Sequence, residues 1–336
     1  MSAIALKPLG RTGLMVSELG FGGAPLGDLY RLLDDEAAIA AVVAAVEAGI
    51  TLVDTSPLYG HGLSEHRIGA ALRRVGREKV VLSTKVGRVM SPAQGVWDRE
   101  GYAGGLPFAA AIDYSHDGAL RSIEQSLLRL GTDRIEIALI HDVDRRNHGA
   151  ALEARFQEAV AGAWKALVRL SEEGVVRGIG IGVNEAEICQ RFAERCDLDC
   201  VMLAGRYTLL EQGALETFLP VAEARGIGVM LGGVFNSGIL ATGPIPGAMH
   251  DYAEASPAIR ARVERIAELA WRHGVALPIA AMHFPRFHPA VASIVLGAVT
   301  PSEVERNLSG WQSAVPPALW ADLKAAGLLL PAAPVS

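Results

Sequence analysis

The chain has 336 residues, half of them hydrophobic and a fifth charged, which is ample material for a large core and excludes a disordered polymer. Its formal net charge of −6, with no cluster of Lys and Arg that could track a phosphate backbone, argues against a nucleic-acid partner. The three cysteines, Cys189, Cys196 and Cys200, lack CxxC spacing and paired histidines, so structural thiols in a reducing compartment are expected rather than a zinc site.

The first residues, MSAIALKPLG, are too short for a signal-peptide core. The longest apolar run, residues 37–46, is half a membrane span and stops at Glu47. A cytoplasmic protein is therefore expected. In chain order, residues 7–16 with their GRTG turn suggest a hairpin. Short apolar runs follow at 19–22 (LGFG), 51–54 (TLVD), 80–84 (VVLST), 135–140 (IEIALI), 178–182 (GIGIG), 200–204 (CVMLA), 228–232 (GVMLG) and 293–297 (SIVLG). Runs without polar alternation fit parallel strands covered on both faces.

Helical segments lie between them. Asp34, Asp35 and Glu36 place acids at the start of residues 37–48, where the positive end of the helix dipole stands, and Gly49 supplies the stop. Residues 121–129 run to Gly131, residues 164–173 to Gly174, and residues 262–272 end just before Gly274; a further helix starts near Ser64. Eight such strand–helix units predict a single (β/α)₈ barrel over residues 1–336, preferred over a doubly wound sheet by the even spacing. Two long loops, 88–116 and 235–256, would lie over the barrel mouth, and loops of this length are usually functional.

The carboxyl ends of the predicted strands carry the polar residues. The second gives Asp54 and then Tyr59, the third Lys85, the fourth His141 and Asp142, the fifth Asn184. Neighbouring strands would bring Asp54, Tyr59, Lys85 and His141 together although each alone has an ordinary structural role. A free tyrosine, with a pKa near 10, is a poor acid or base at neutral pH. A lysine ammonium beside it would stabilise the phenolate, an aspartate would hold the lysine, and a histidine would orient the reacting oxygen. His61 and His66 have the wrong spacing for a metal pair, and no metal site is expected.

The spaced segments LGRTGLMVSELGFGG, VDTSPLYGHGLSE, STKVG, SLLRLGTDRIEIALIHDVD and GVVRGIGIGVNE together resemble the aldo-keto reductases along nearly the whole chain. The resemblance implies hydride transfer to or from a nicotinamide cofactor, with the family's tetrad falling on Asp54, Tyr59, Lys85 and His141. It implies cofactor contacts at Gly22, Gly23, Asp54, Asn184, Phe235, Asn236, Gly238, Leu240, Gly297, Ala298, Thr300, Glu303 and Asn307, the last matching an adenine-binding asparagine. Ala204 and Gly232 stand where relatives often carry a glutamine and a stacking tyrosine. NADPH-preferring relatives commonly have basic residues at the positions of Gly297 and Glu303. An acid at 303 would repel a 2′-phosphate and could accept from a ribose hydroxyl, so NAD is expected over NADP.

GFGGAPLGDLYR, LPF followed by DYSHDG, LAGRYTLLEQ and GGVFNSGILATG are similar to the D-threo-aldose 1-dehydrogenases (L-fucose or D-arabinose dehydrogenases) and to pyridoxal 4-dehydrogenases. That implies oxidation of a cyclic hemiacetal to a lactone, Tyr59 taking the hydroxyl proton. Tyr30, Trp97, Phe108, Asp142 and Arg206 are expected at the mouth as substrate contacts, Asp142 or Arg206 binding sugar hydroxyls and the rings packing on a sugar or pyridine face. An aldose of the L-fucose, L-galactose or D-arabinose kind is the first expectation and pyridoxal the second. An NADPH carbonyl reductase and a non-catalytic redox sensor are the rivals. The sequence is silent on oligomeric state.

Overall fold

The computed structural model describes residues 3–95 and 98–336. Eight parallel strands close into a barrel: β1 (Leu19–Gly22), β2 (Leu52–Asp54), β3 (Val81–Val86), β4 (Ile137–His141), β5 (Gly178–Val183), β6 (Cys200–Ala204), β7 (Gly228–Gly232) and β8 (Val291–Gly297). Each pairs with its neighbour in sequence and β8 returns to β1, the arrangement of a (β/α)₈ barrel. Every predicted strand is present, with ends shifted by no more than a few residues.

Register decides what the barrel presents at its mouth. Asp54 pairs with Ser83, Lys85 with Leu139, and His141 with Gly182. Side chains alternate with a period of two, so Asp54, Ser83, Lys85, Leu139 and His141 all point inward. The inward layers nearer the amino ends are apolar: Leu52, Ile137, Leu139, Cys200, Met202 and Met230 pack with Leu9, Leu14 and Val16. Those last residues belong to the expected hairpin, Leu6–Pro8 paired with Met15–Ser17, which plugs the floor. Its tip, Gly10, lies at φ +50, and a Cβ there would stand 2.4 Å from the backbone nitrogen of Gly228.

Helices form the outer shell. Asp34 caps Asp35–Glu47 by accepting from the Ala37 N–H, and Ser115 and Ser256 cap His116–Leu130 and Pro257–Arg272 in the same way. Both long loops contain short antiparallel ribbons. Arg88–Pro92 pairs with Phe108–Ile112, and Met249–His250 pairs with Ala253–Glu254 around Asp251 and Tyr252, both at positive φ. Such a pair is a type I′ turn, unusual for tyrosine and a mark of backbone strain.

Candidate active site

At the mouth the Lys85 ammonium donates to Asp54 Oδ2 at 2.7 Å and to the Thr55 carbonyl at 2.8 Å. Ser83 Oγ donates to the other carboxylate oxygen at 2.8 Å. Lys85 and Asp54 are buried, so the ion pair is tolerated because both partners are satisfied. Tyr59 follows on the turn after β2, its ring centroid 5.0 Å from Lys85 Nζ. His141 meets it edge to face at 5.9 Å, and Ser56 Oγ lies 3.0 Å from His141 Nδ1. The four residues expected to act together are therefore one cluster.

Electrostatics at Tyr59 differ from the expectation. Burial raises its pKa well above 10, and the charges of Asp54 and Asp142 and the phenols of Tyr102 and Tyr252 push the same way. Desolvation of the phenolate outweighs the neighbouring ammonium, whose hydrogen bonds go to Asp54 and Thr55. His141 is driven the other way. Burial, then Lys85 and Arg88, hold its pKa well below the usual imidazole value, so it is neutral at pH 7. Ser56 engages Nδ1, which leaves Nε2 as the ring nitrogen beside Asp142.

Asp142 sits beside it at φ +55, its N–H donating to the Gly182 carbonyl at 2.9 Å. Its Oδ2 is 3.0 Å from Arg88 Nη1, and its Oδ1 is 3.4 Å from His141 Nε2. Burial raises the Asp142 pKa to about 6, against the lowering by Arg88. Sequence reasoning missed Arg88; its one signal is a lone cation inside the apolar run after β3. It also missed Tyr114, whose hydroxyl donates to the His141 carbonyl at 2.7 Å.

On the opposite side Asn184 Nδ2 donates to the Tyr252 hydroxyl at 3.2 Å, and Arg206 bridges the Asn184 carbonyl (2.7 Å) and Asp251 (2.9 Å). The Arg146 guanidinium covers the Tyr252 ring at 3.9 Å. Arg206 is thus a clasp for the 249–254 ribbon. Tyr252 and Arg146 went unread in the sequence because a strained ribbon tip has no periodic signature. Tyr30 is exposed and within electrostatic reach of Tyr252 and Arg146. Phe108 pairs with Pro92 at the ribbon end opposite the Arg88–Ile112 pair. Trp97 lies outside the described residues.

The expected cofactor residues divide. Gly22 and Gly297 face each other across the β1–β8 seam, leaving bare backbone at the strand ends. Gly23 is packed too tightly for any side chain, since a Cβ would lie 2.7 Å from Ser64 Oγ. Asn236 is buried and pins two loops, accepting from Thr208 Oγ1 at 2.6 Å and donating to the Gly205 carbonyl. Leu240 is fully buried, so its side chain belongs to the core; Phe235 is half-buried and packs against that core, and Gly238 is half-buried. Thr300 caps Pro301–Gln312 by accepting from the Glu303 N–H, and Glu303 Oε2 accepts from the Val299 N–H at 2.9 Å. Ala298 is buried beneath this helix start, and Asn307 Nδ2 reaches the Gly297 carbonyl at 3.4 Å.

A model described as "Aldo/keto reductase family" matches residues 18–327. The chain belongs to this family. It is 39% identical to pyridoxal 4-dehydrogenase of Microbacterium luteolum, over 98% of this chain and 99% of that protein. It is 37% identical to D-threo-aldose 1-dehydrogenase of a Pseudomonas species, over 94% and 96% of the two chains. The holo form of an aldo-keto reductase from Bacillus halodurans superposes with a TM-score of 0.75 at 24% identity, covering 98% of this chain and 97% of that one, a likeness of fold.

This aldo/keto reductase is an oxidoreductase, and its family uses nicotinamide cofactors. The residues present fit such a group. Gly22 and Gly297 leave bare backbone at the strand ends, and at Gly232 an added Cβ would be in ordinary contact with Met202 Sδ at 3.5 Å and Ala204 Cβ at 3.7 Å, so no large side chain fills that strand end. At the start of Pro301–Gln312 the Glu303 N–H is taken by Thr300 and the Val299 N–H by the Glu303 carboxylate. Among the described residues no group of three or more His, Cys, Asp or Glu could hold a metal, and no helix is long and apolar enough to cross a membrane.

Proposed function

We propose that this chain is an NAD-dependent dehydrogenase that oxidises the cyclic hemiacetal of an aldose of the L-fucose, L-galactose or D-arabinose kind to its lactone. The observation that carries the reading is the buried Lys85–Asp54 pair at 2.7 Å beside Tyr59 and a neutral His141. The 37% identity to D-threo-aldose 1-dehydrogenase supports the substrate class. A bound nicotinamide would supply the acceptor for the hydride leaving C1. Tyr59 receives the proton of the C1 hydroxyl, so the C–H and O–H bonds break as the C=O bond forms. His141 Nε2 donates to the reacting oxygen and holds it toward Tyr59. Lys85, fixed by Asp54 and Thr55, opposes the cost of a buried phenolate.

Glu303 supports NAD over NADP. Its carboxylate is fixed at the helix start by the Val299 N–H, where a phosphate dianion would be repelled. Gly297 supports it too, because a side chain there would collide with Pro25 Cγ, 2.7 Å from an added Cβ. The buried, unpaired state of all three cysteines accords with a reducing cytoplasmic setting.

Pyridoxal oxidation to 4-pyridoxolactone is a second reading, favoured by the 39% identity to pyridoxal 4-dehydrogenase. The test is purified protein with NAD or NADP and a panel of L-fucose, L-galactose, D-arabinose, pyridoxal and simple aldehydes, followed by nicotinamide absorbance. NAD reduction with an aldose is expected. Turnover confined to NADPH and simple aldehydes would refute both dehydrogenase readings, and equal affinity for NAD and NADP would overturn the Glu303 argument.

A further inference from the structure

We propose that Asp142 selects substrates carrying a neutral hydroxyl on the atom next to the reacting carbon, and that Arg88 positions it to do so. This deepens the aldose reading and rests on it.

The backbone places the carboxylate. At φ +55, held by its bond to Gly182, residue 142 occupies a left-handed conformation that aspartate, asparagine and glycine accept best. The side chain therefore lies beside His141 rather than continuing along the strand direction. Its Oδ1 stands 3.4 Å from His141 Nε2, beyond a good hydrogen bond, so the two atoms form an acceptor–donor pair side by side.

Oxygens on adjacent carbons of a sugar ring stand about one hydrogen-bond length apart when gauche. One can take the proton of His141 Nε2 while its neighbour donates to Asp142 Oδ1. The reacting C1 oxygen and the C2 hydroxyl of an aldose have this relation, and a simple aldehyde lacks it.

Arg88 makes the carboxylate available. It is buried at the foot of the Arg88–Pro92 ribbon, its Nη1 in ion-pair contact with Asp142 Oδ2 at 3.0 Å, without hydrogen-bond geometry, and its Nη2 3.6 Å from Glu100. A carboxylate enclosed this deeply without a cation would be neutralised or displaced. With Arg88 on one oxygen, the other is left to the ligand. The pKa of about 6 agrees, being raised by burial yet low enough for the acceptor to be ionised at neutral pH.

The experiment compares kcat/KM for the best aldose of the panel with that of its 2-deoxy counterpart. A hydrogen bond to a charged acceptor predicts a preference of about tenfold to a hundredfold for the parent sugar. Asp142→Gly keeps the left-handed backbone without strain and should bring the ratio to within about threefold; Asp142→Asn, which keeps an acceptor without charge, should fall between. Arg88→Lys should lower the ratio through KM of the aldose rather than through kcat, a split that general destabilisation does not produce. Equal use of both sugars by the unaltered protein, or an unchanged ratio in both Asp142 variants, overturns the assignment alone. Failure to oxidise any aldose overturns the aldose reading and the assignment with it.

Discussion

Tyr59 is surrounded by groups that pull its proton affinity in opposite directions. A nearby ammonium favours the phenolate, while enclosure and the Asp54 and Asp142 carboxylates disfavour it, and the balance leaves its pKa well above 10. For proton donation to a carbonyl this leaves a fully protonated, neutral phenol at neutral pH. For oxidation the phenolate must form first, so the fraction of active base grows with pH below that pKa. The sign is therefore fixed: the oxidative rate should rise by about tenfold per pH unit where proton removal limits it, and the reductive rate should not. A plateau in oxidation below neutral pH would mean another group is the base. Tyr59→Phe should cut kcat by about 10²- to 10⁴-fold while NAD affinity, read by calorimetric titration, stays nearly constant. The cluster was legible because strand ends can be read off apolar runs, and the inward parity of Asp54, Lys85 and His141 then follows. The direction of the Tyr59 shift was not legible, because it is set first by burial and then by charges and phenols, Tyr102 and Tyr252 among them, that reach the site from distant loops.

Elements were legible where one physical rule governs them. The barrel strands announce themselves by continuous Val, Ile and Leu, and the helices by caps and glycine stops. The ribbons at 88–112 and 249–254 do not: one carries Pro92 and three alanines, and the other is two residues long on each side. Their pairing is set by contacts with the barrel, as when Arg88 meets Asp142. The β8 end shows a similar coupling, in which Gly297 is constrained by Pro25 on the Ala24–Gly27 turn after β1. Introducing a base for NADP by Gly297→Lys alone should therefore fail. The added Cβ forces the turn to move, at about 1–3 kcal/mol of overpacking, and melting temperature should fall without tighter NADP binding. Adding Pro25→Ala should restore the melting temperature. If Gly297→Lys alone binds NADP tightly, the turn is softer than its packing implies.

Across the whole molecule, stability and chemistry are separated along the barrel axis. The floor is closed by the Leu6–Pro8/Met15–Ser17 hairpin and apolar inward layers, and the mouth holds the buried Lys85–Asp54 pair and the Arg88–Asp142 pair. The glycines of β5 show how tightly the two ends share one interior. A Cβ at Gly180 would fall 1.7 Å from the Cys200 carbonyl oxygen, whereas at Gly182 it would meet Lys85 Cε at 3.2 Å. The lower glycine sets how closely the strands pack, and the upper one leaves space for the lysine stem. A matched pair of variants tests the separation. Gly10→Ala, at the floor, combines a left-handed φ with a Cβ 2.4 Å from backbone, and should lower the melting temperature by about 5 °C or more. Its kcat per folded molecule, measured well below the transition, should be unchanged, because the added Cβ meets Asp199, Gly226 and Gly228 at the amino ends of β6 and β7, far along the axis from the mouth. Tyr59→Phe should do the reverse, with the melting temperature held and turnover lost. A Gly10→Ala protein that melts normally but turns over slowly would mean that the floor controls the geometry of Lys85 and His141, and that the barrel transmits strain along its axis.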